Sequence, residues 1–237
     1  MSRVNSKGFT LIELMLAMTF IAILLVAVAM TTIQVSNIYN KGITLREVNQ
    51  AGRTLSDELQ RNIASSEPFD ATPKVDASPA TATSKYVVRN EGGRLCLGSY
   101  SYVWNYGKTL VGPEGGIFNK YTDGSPVSFA KVADANSSLC ADPTLAINRD
   151  DATEMLSSGD RDLVVHTFTV AQTTTDTALG QALYAVSFTI GTNDREQLTT
   201  GDTSCKPPSE GVGDEDYCSV NQFDLVARAG DSAQGGE

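Results

Sequence analysis

An apolar run near the N-terminus constrains this chain more than any other feature. From Leu14 to Asn40 there is no charged residue, and the twenty positions from Leu14 to Ile33 are interrupted only by three threonines. A helix of that length crosses the bilayer core of about 30 Å at ~1.5 Å per residue. The first eight residues, Met1–Gly8, contain two basic residues, Arg3 and Lys7, and no acid. The positive-inside rule therefore predicts a single-pass helix with a cytoplasmic N-terminus and an exported C-terminal bulk.

Two ordinary interpretations of this run compete. A cleaved secretory signal peptide has an apolar region of about 7–15 residues that ends in small residues, whereas this run is longer and continues into a helical pattern. An uncleaved signal anchor agrees with the composition. Glu13 argues against a plain anchor, because an unpaired carboxylate costs about 2.5 kcal/mol or more near the bilayer centre. Such a residue needs a partner or a function.

The residues around Glu13 form a specific motif. The segment KGFTLIEL, from Lys7 to Leu14, resembles the processing motif of type IV prepilins and of the related pseudopilins of type II secretion. The resemblance implies that prepilin peptidase, a membrane-embedded aspartyl protease, cuts between Gly8 and Phe9 and methylates the new N-terminus, so that Phe9 becomes N-methylphenylalanine. It also implies that Glu13 pairs with the N-terminal amine of a neighbouring subunit.

Elementary physical chemistry agrees with these implied roles. Glycine at position 8 offers no side chain that would obstruct a protease, and a cut there removes Arg3 and Lys7, which would hold the helix on the cytoplasmic face. At an effective dielectric constant of about 20, two unit charges 4 Å apart attract by about 4 kcal/mol, offset in part by desolvation. A pair between Glu13 and an amine would therefore set the register between subunits.

The helical pattern continues beyond the span. An apolar stripe is predicted from the spacing of Leu45, Val48, Ala51, Gly52, Leu55 and Leu59. A charged ladder of Arg53, Asp57 and Arg61 lies on another face and predicts a solvated surface. Ser65, Ser66 and Pro68 end the pattern. We therefore predict one helix from about Phe9 to Ala64, roughly 80 Å long.

Major pilins often carry a glycine and a proline in the apolar half of this helix, but neither residue occurs between Phe9 and Lys41. The segment from Gln50 to Ile63 resembles the equivalent part of larger minor pilins and of J-type pseudopilins. The absence of glycine and proline from the apolar half favours a minor subunit over the bulk subunit of a filament.

After a loop at Asp70–Ser84, the sequence becomes rich in strand patterns. The predicted strands are Tyr86–Arg89, Leu95–Trp104, Lys108–Val111, Ile117–Tyr121, Val127–Val132, Leu163–Val170, Ala182–Ile190 and Phe223–Ala229. The predicted fold class is α+β and pilin-like: a long N-terminal helix, transmembrane in its first half and amphipathic in its second, packs on a mainly antiparallel sheet. The predicted units are a leader at 1–8, a transmembrane and filament-core helix half at 9–40, an amphipathic half at 41–66 and a β-rich head at 67–237.

All four cysteines fall in the part predicted to be exported, which favours disulfides in an oxidising compartment. Four cysteines permit three pairings, and the sequence does not choose among them. Proximity along the chain favours Cys96 with Cys140 and Cys205 with Cys218. In the resembled family a C-terminal disulfide loop is common, and the second pair would close such a loop.

The sequence supports a catalytic, metal or cofactor site much less than it supports the processing motif. The single histidine, His166, lies in a strand-like run with Val164 and Phe168, which favours a packed side chain over a metal ligand or a general base. There is no CxxC, no GxSxG and no phosphate-binding glycine motif. We therefore expect no catalytic residue, no metal site and no cofactor.

Two features of the predicted head each allow two interpretations. Asp150, Asp151 and Glu154, and separately Asp214–Asp216, could form calcium loops, but their spacing differs from an EF-hand and favours solvated turns. Trp104, among three tyrosines, could be an adhesive surface or a half-buried strand. A net charge of −10 argues against a nucleic-acid partner.

The sequence thus predicts a structural subunit, a minor pilin or pilin-like protein of a type IV pilus, which initiates a filament or serves adhesion, twitching motility or uptake. The expected partners are other pilin subunits, prepilin peptidase and the inner-membrane assembly platform. The expected location is the inner membrane before assembly and a pilus or the periplasm afterwards. A J-type pseudopilin of type II secretion and a single-pass anchored envelope binding protein are the alternatives, and an enzyme ranks below them.

Overall fold

In the computed structural model, one helix, α1, dominates the molecule and runs from Leu11 to Ala64 over 54 residues, about 81 Å. The structure describes residues 8–73, 85–107, 128–142, 145–147, 149–156, 161–176, 180–201, 204–207 and 217–230. The predicted helix is confirmed, but it begins two residues later than expected because Thr10 is its N-cap. It ends at Ser65, whose N–H donates to the carbonyl of Arg61.

The C-terminal half of α1 is docked on the head through one face. The buried residues of this face are Thr44, Val48, Ala51, Gly52, Leu55, Leu59 and Ile63. The assignment of Leu45 to the apolar stripe was wrong: Leu45 is 42% exposed, and the preceding residue, Thr44, is fully buried. At Gly52 the ring of Phe223 occupies the space that a Cβ would need, so this glycine permits the closest approach of helix and sheet.

The described residues of the head form two antiparallel sheets. The first has five strands in chain order: β1 Tyr86–Arg89, β2 Gly92–Leu97, β3 Tyr100–Asn105, β4 Phe129–Ala133 and β5 Ala152–Glu154. The second has three: β6 Leu163–Asp176, β7 Gln181–Thr192 and β8 Val220–Ala229. A parallel bridge between Tyr106 and Val165 joins the sheets. A short helix, α2, at Ser138–Ala141 follows β4, and α1 packs mainly on β8.

Among the eight predicted strands, Tyr86–Arg89 has the predicted bounds, four are present with shifted ends and one was wrong. The run Leu95–Trp104 is two strands, because Gly98 adopts a positive φ of 72° and turns the chain back at Gly98–Ser99. β6 continues to Asp176, six residues beyond its predicted end. The predicted strands Lys108–Val111 and Ile117–Tyr121 lie outside the described residues.

An aromatic column forms the centre of the core between α1 and the sheets. Trp104 packs on Phe129 and Phe168, with ring centroids 5.6 and 4.2 Å away, and the column continues through Phe188 to Phe223. Trp104 is fully buried. Trp104 therefore belongs to a packed strand and is not an adhesive surface. The strand is more deeply buried than the half-buried strand that was predicted, because five of the six residues of β3 are buried.

A buried arginine lies on the face of the first sheet that is opposite to the aromatic column. Arg94 of β2 is fully buried, and its guanidinium donates to the carbonyls of Leu139 and Leu145 at 2.8 and 2.9 Å. Burial lowers the pKa of Arg94 to about 10, so the group stays charged at neutral pH. Beside it the Cys96–Cys140 disulfide joins β2 to α2, with Cα atoms 6.2 Å apart. Sequence reasoning missed Arg94, because no local pattern marks a buried cation.

The other disulfide, Cys205–Cys218, lies near the start of β8 and has Cα atoms 6.0 Å apart. Closing a loop of about this length stabilises a fold by roughly 3 kcal/mol. We expect Cys205→Ser with Cys218→Ser to loosen the start of β8 without unfolding α1, because α1 also contacts β8 beyond its start, at Phe223 and Val226. Faster amide exchange at Leu198 and Ser219, with unchanged exchange at Leu55, would show this. Equal acceleration at all three positions would contradict it.

An ion pair joins α1 to the first sheet. Lys131 Nζ lies 2.5 Å from Glu58 Oε1 and 3.9 Å from the ring centroid of Tyr100. The hydrogen bond from Lys131 is the largest of the effects that hold the pKa of Glu58 below its ordinary value. A depressed folded-state pKa stabilises the fold above the unfolded pKa and loses this contribution as the pH falls through the folded pKa.

Glu58→Gln is therefore expected to cost about 1 kcal/mol at neutral pH and progressively less below about pH 4. Denaturant unfolding of the full chain in detergent, followed across this pH range, measures the difference. Asp57→Asn is the matched control, since Asp57 is the adjacent acid and is exposed. A Glu58→Gln penalty that stays constant with pH would refute the linkage.

Candidate functional site

The Gly8–Phe9 peptide lies outside regular secondary structure, just before α1. Both residues are exposed, and the side chain of Phe9 is 88% accessible. A Cβ built on Gly8 would meet no atom within 4 Å. The fold therefore places no steric demand for glycine at position 8, and a requirement for glycine there would have to come from another molecule that handles this peptide.

Glu13 closes a capping box with Thr10 at the start of α1. The backbone N–H and the hydroxyl of Thr10 each donate to Glu13 Oε2 at 2.9 Å, and the N–H of Glu13 donates to Thr10 Oγ1 at 3.3 Å. This arrangement satisfies orphan donors at the helix N-terminus. Sequence reasoning assigned Glu13 only to a neighbouring subunit. The Thr-x-x-Glu spacing was the signal that could have identified its contact within the chain.

The apolar half of α1 is not covered by the head. Every residue from Leu11 to Ser36 is exposed in the single chain, and α1 contains a window with a mean hydropathy of 2.7, long and apolar enough to cross a membrane. The hydroxyls of Thr19, Thr31 and Thr32 donate to helix carbonyls at 2.8–2.9 Å. Because these hydroxyls are satisfied within the helix, the span from Leu14 to Ile33 is suited to apolar surroundings on all sides.

Outside this segment, the described residues hold no group of three metal-ligating side chains. The Glu154 carboxylate accepts the N–H groups of Ser128 and Leu156 at 2.6 and 2.9 Å. Asp151 is exposed in a 3₁₀ turn, and Asp214–Asp216 lies outside the described residues. His166 is 6% exposed in β6, next to Gly191. Where described, these side chains contribute to packing and turns.

The comparisons with known proteins agree with the geometry of the N-terminus. Residues 3–31 match the model of the prokaryotic N-terminal methylation motif, which is the type IV prepilin signature. No curated protein and no solved structure matches the chain. The matched residues contain the exposed Gly8–Phe9 peptide, the capping box and most of the uncovered part of α1.

Proposed function

We propose, from the type IV prepilin signature at its N-terminus, that the chain is a minor pilin or pilin-like subunit of a type IV pilus. Prepilin peptidase cuts between Gly8 and Phe9 and methylates Phe9, and the mature subunit assembles through α1. The supporting observation is the exposed Gly8–Phe9 peptide directly before a helix whose first half is uncovered. The proposed units are a leader at 1–8, helix halves at 9–40 and 41–66, and an exported head at 67–237.

In this proposal the two halves of α1 have different partners. The first half lies in the inner membrane and then among the helices of other subunits. Once the subunit has left the bilayer, packing on these helices keeps its apolar side chains out of water and stabilises the filament. The second half already packs on its own head through one face. The assembly platform transfers the subunit between these surroundings, and the removal of Arg3 and Lys7 with the leader frees the helix to leave the membrane.

The continuity of α1 bears on the kind of subunit. The helix is unbroken from Leu11 to Ala64, and the segment from Phe9 to Lys41 lacks glycine and proline. A helix without these residues is less easily kinked or melted. This property supports a minor role, at a filament end or as an occasional subunit, and the same property supports a J-type pseudopilin of type II secretion as the second candidate.

Mass spectrometry of the mature N-terminus tests the proposal. In a strain with prepilin peptidase we expect a chain that begins at N-methylated Phe9, and in a strain without the peptidase a chain that retains residues 1–8. An intact Met1 in the presence of the peptidase would sink the processing claim and favour an anchored envelope protein. Co-purification with pili or with a secretion pseudopilus then separates the two assembly candidates.

A further inference from the structure

Three distant segments meet at the base of the head, where α1 enters it. Asn40 Nδ2 donates to the hydroxyl of Tyr217 at 3.0 Å, although the residues are 177 positions apart. The guanidinium carbon of Arg161 lies 4.4 Å from the centre of the Tyr217 ring. Tyr217 is adjacent to Cys218, which is disulfide-bonded to Cys205. The base of the head is therefore held against the end of the uncovered half of α1.

The length of the uncovered half places this base at a membrane surface. The twenty positions from Leu14 to Ile33 span about 30 Å, and Gln34–Tyr39 adds about 9 Å. A headgroup layer occupies roughly 5–7 Å on each side of the hydrocarbon core. Tyr39, which is 68% exposed, thus lies about 2–4 Å beyond the outer margin of the headgroups, within the reach of a tyrosine side chain. Asn40 follows Tyr39 in α1 and donates a hydrogen bond to the hydroxyl of Tyr217. The base of the head therefore lies at the same level as Tyr39.

The side chains at the base carry both signs of charge. A shallow cavity of about 200 Å³ is lined by Arg161, Asp162, Thr192, Asn193, Asp194 and Tyr217. Lys41 is exposed beside Asn40. Tyrosine is enriched at headgroup level because its ring is apolar and its hydroxyl is polar. A guanidinium pairs with a phosphate, and carboxylates pair with an ammonium group.

We infer that the base of the head is a membrane-contact surface whose cavity receives a zwitterionic phospholipid headgroup, with the phosphate towards Arg161 and the ammonium towards Asp162 and Asp194. The inference rests on the membrane-spanning part of the proposed function and is independent of processing and assembly. When the subunit is extracted into a filament, the contacts between the base of the head and the headgroups are broken. The apolar half of α1 moves at the same time from the lipid to the helices of other subunits.

Fluorescence quenching in nanodiscs tests the contact. The full chain carrying Tyr217→Trp is placed in discs of phosphatidylethanolamine, a fraction of which bears a nitroxide on the headgroup. Tyr100→Trp is the matched control, because Tyr100 is 39% exposed against 37% for Tyr217 but lies near the other end of the helix, beside Ser65. The native Trp104 is fully buried and supplies a constant background. We expect the added emission to fall roughly twofold at position 217 and to stay unchanged at position 100.

The charged side chains are tested in the same Tyr217→Trp chain. Arg161→Ala is expected to weaken the quenching, whereas Arg228→Ala, at the opposite end of the head on β8, is expected to leave it unchanged. Equal quenching at positions 217 and 100 would overturn the inference, as would quenching at 217 by aqueous iodide but not by the labelled lipid. An uncut N-terminus in the mass spectrum would refute the proposed processing without changing these quenching results.

Discussion

Gly8→Leu is expected to abolish processing and to leave the chain in the membrane as an uncut precursor. A side chain at position 8 obstructs the approach of the protease to the Gly8–Phe9 bond, while the fold is unaffected because a Cβ there meets no atom within 4 Å. The precursor keeps Arg3 and Lys7, and moving each charge through the bilayer centre costs about 2.5–3.5 kcal/mol. Intact mass measurement and filament blots should show the full-length chain in membranes and none in filaments.

Gly42→Leu is the matched control for this substitution. Gly42 is also exposed, and a Cβ there also meets no atom within 4 Å, but it lies within α1 and far from the proposed cut. We expect this variant to be cut and methylated at the normal rate. If Gly8→Leu matured as fast as Gly42→Leu, the assignment of the cut to Gly8 and Phe9 would be wrong.

Glu13→Gln is expected to spare cleavage but to reduce incorporation into filaments by about tenfold or more, since about 1.4 kcal/mol corresponds to a factor of ten. A charge pair with a neighbour's amine is worth up to about 4 kcal/mol before desolvation is subtracted. Glutamine keeps an acceptor for the capping box with Thr10 but carries no charge. This variant therefore separates the charge of Glu13 from its hydrogen bonds within the chain.

Two further variants complete the comparison. Thr10→Val removes the capping hydroxyl but leaves the carboxylate, and its cost is expected to be only about 1 kcal/mol of helix stability. Glu13→Ala removes both the charge and the acceptor, and should assemble no better than Glu13→Gln. The measurement is the ratio of filament-bound to membrane-bound mature chain. Normal incorporation of Glu13→Gln together with poor incorporation of Thr10→Val would assign Glu13 to capping alone.

Local sequence patterns were sufficient for much of the architecture and for the candidate site. The extent of α1 follows from an uninterrupted helical pattern that ends at Ser65, Ser66 and Pro68. Five of the predicted strands are present, and a sixth, Leu95–Trp104, is divided into two strands. The motif around Gly8, Phe9 and Glu13 is contiguous in the chain, so that no tertiary information was needed to find it. These features depend on residues a few positions apart, where propensity and periodicity act.

The predictions that were wrong concern features that local sequence patterns do not decide. Gly98 looked like one residue of a continuous strand, but it turns the chain so that Leu97 faces Tyr100. Leu45 was expected in the apolar stripe, but it is exposed and Thr44 is buried, because the orientation of α1 is decided by its packing on β8, including the contact of Phe223 with Gly52. Neither the turn at Gly98 nor the exposure of Leu45 can be deduced from the residues of a single helical turn or a single strand.

The sequence alone therefore determined the apolar span, the processing motif, the long helix and the general β character of the head, because each is a run or a period along the chain. Only the tertiary structure decided the division into two sheets, the burial of Arg94 against distant carbonyls and the meeting of Asn40 with Tyr217. The physical reason is that these features depend on long-range contacts, whose free energy comes from burial and hydrogen bonding between segments that share no local pattern.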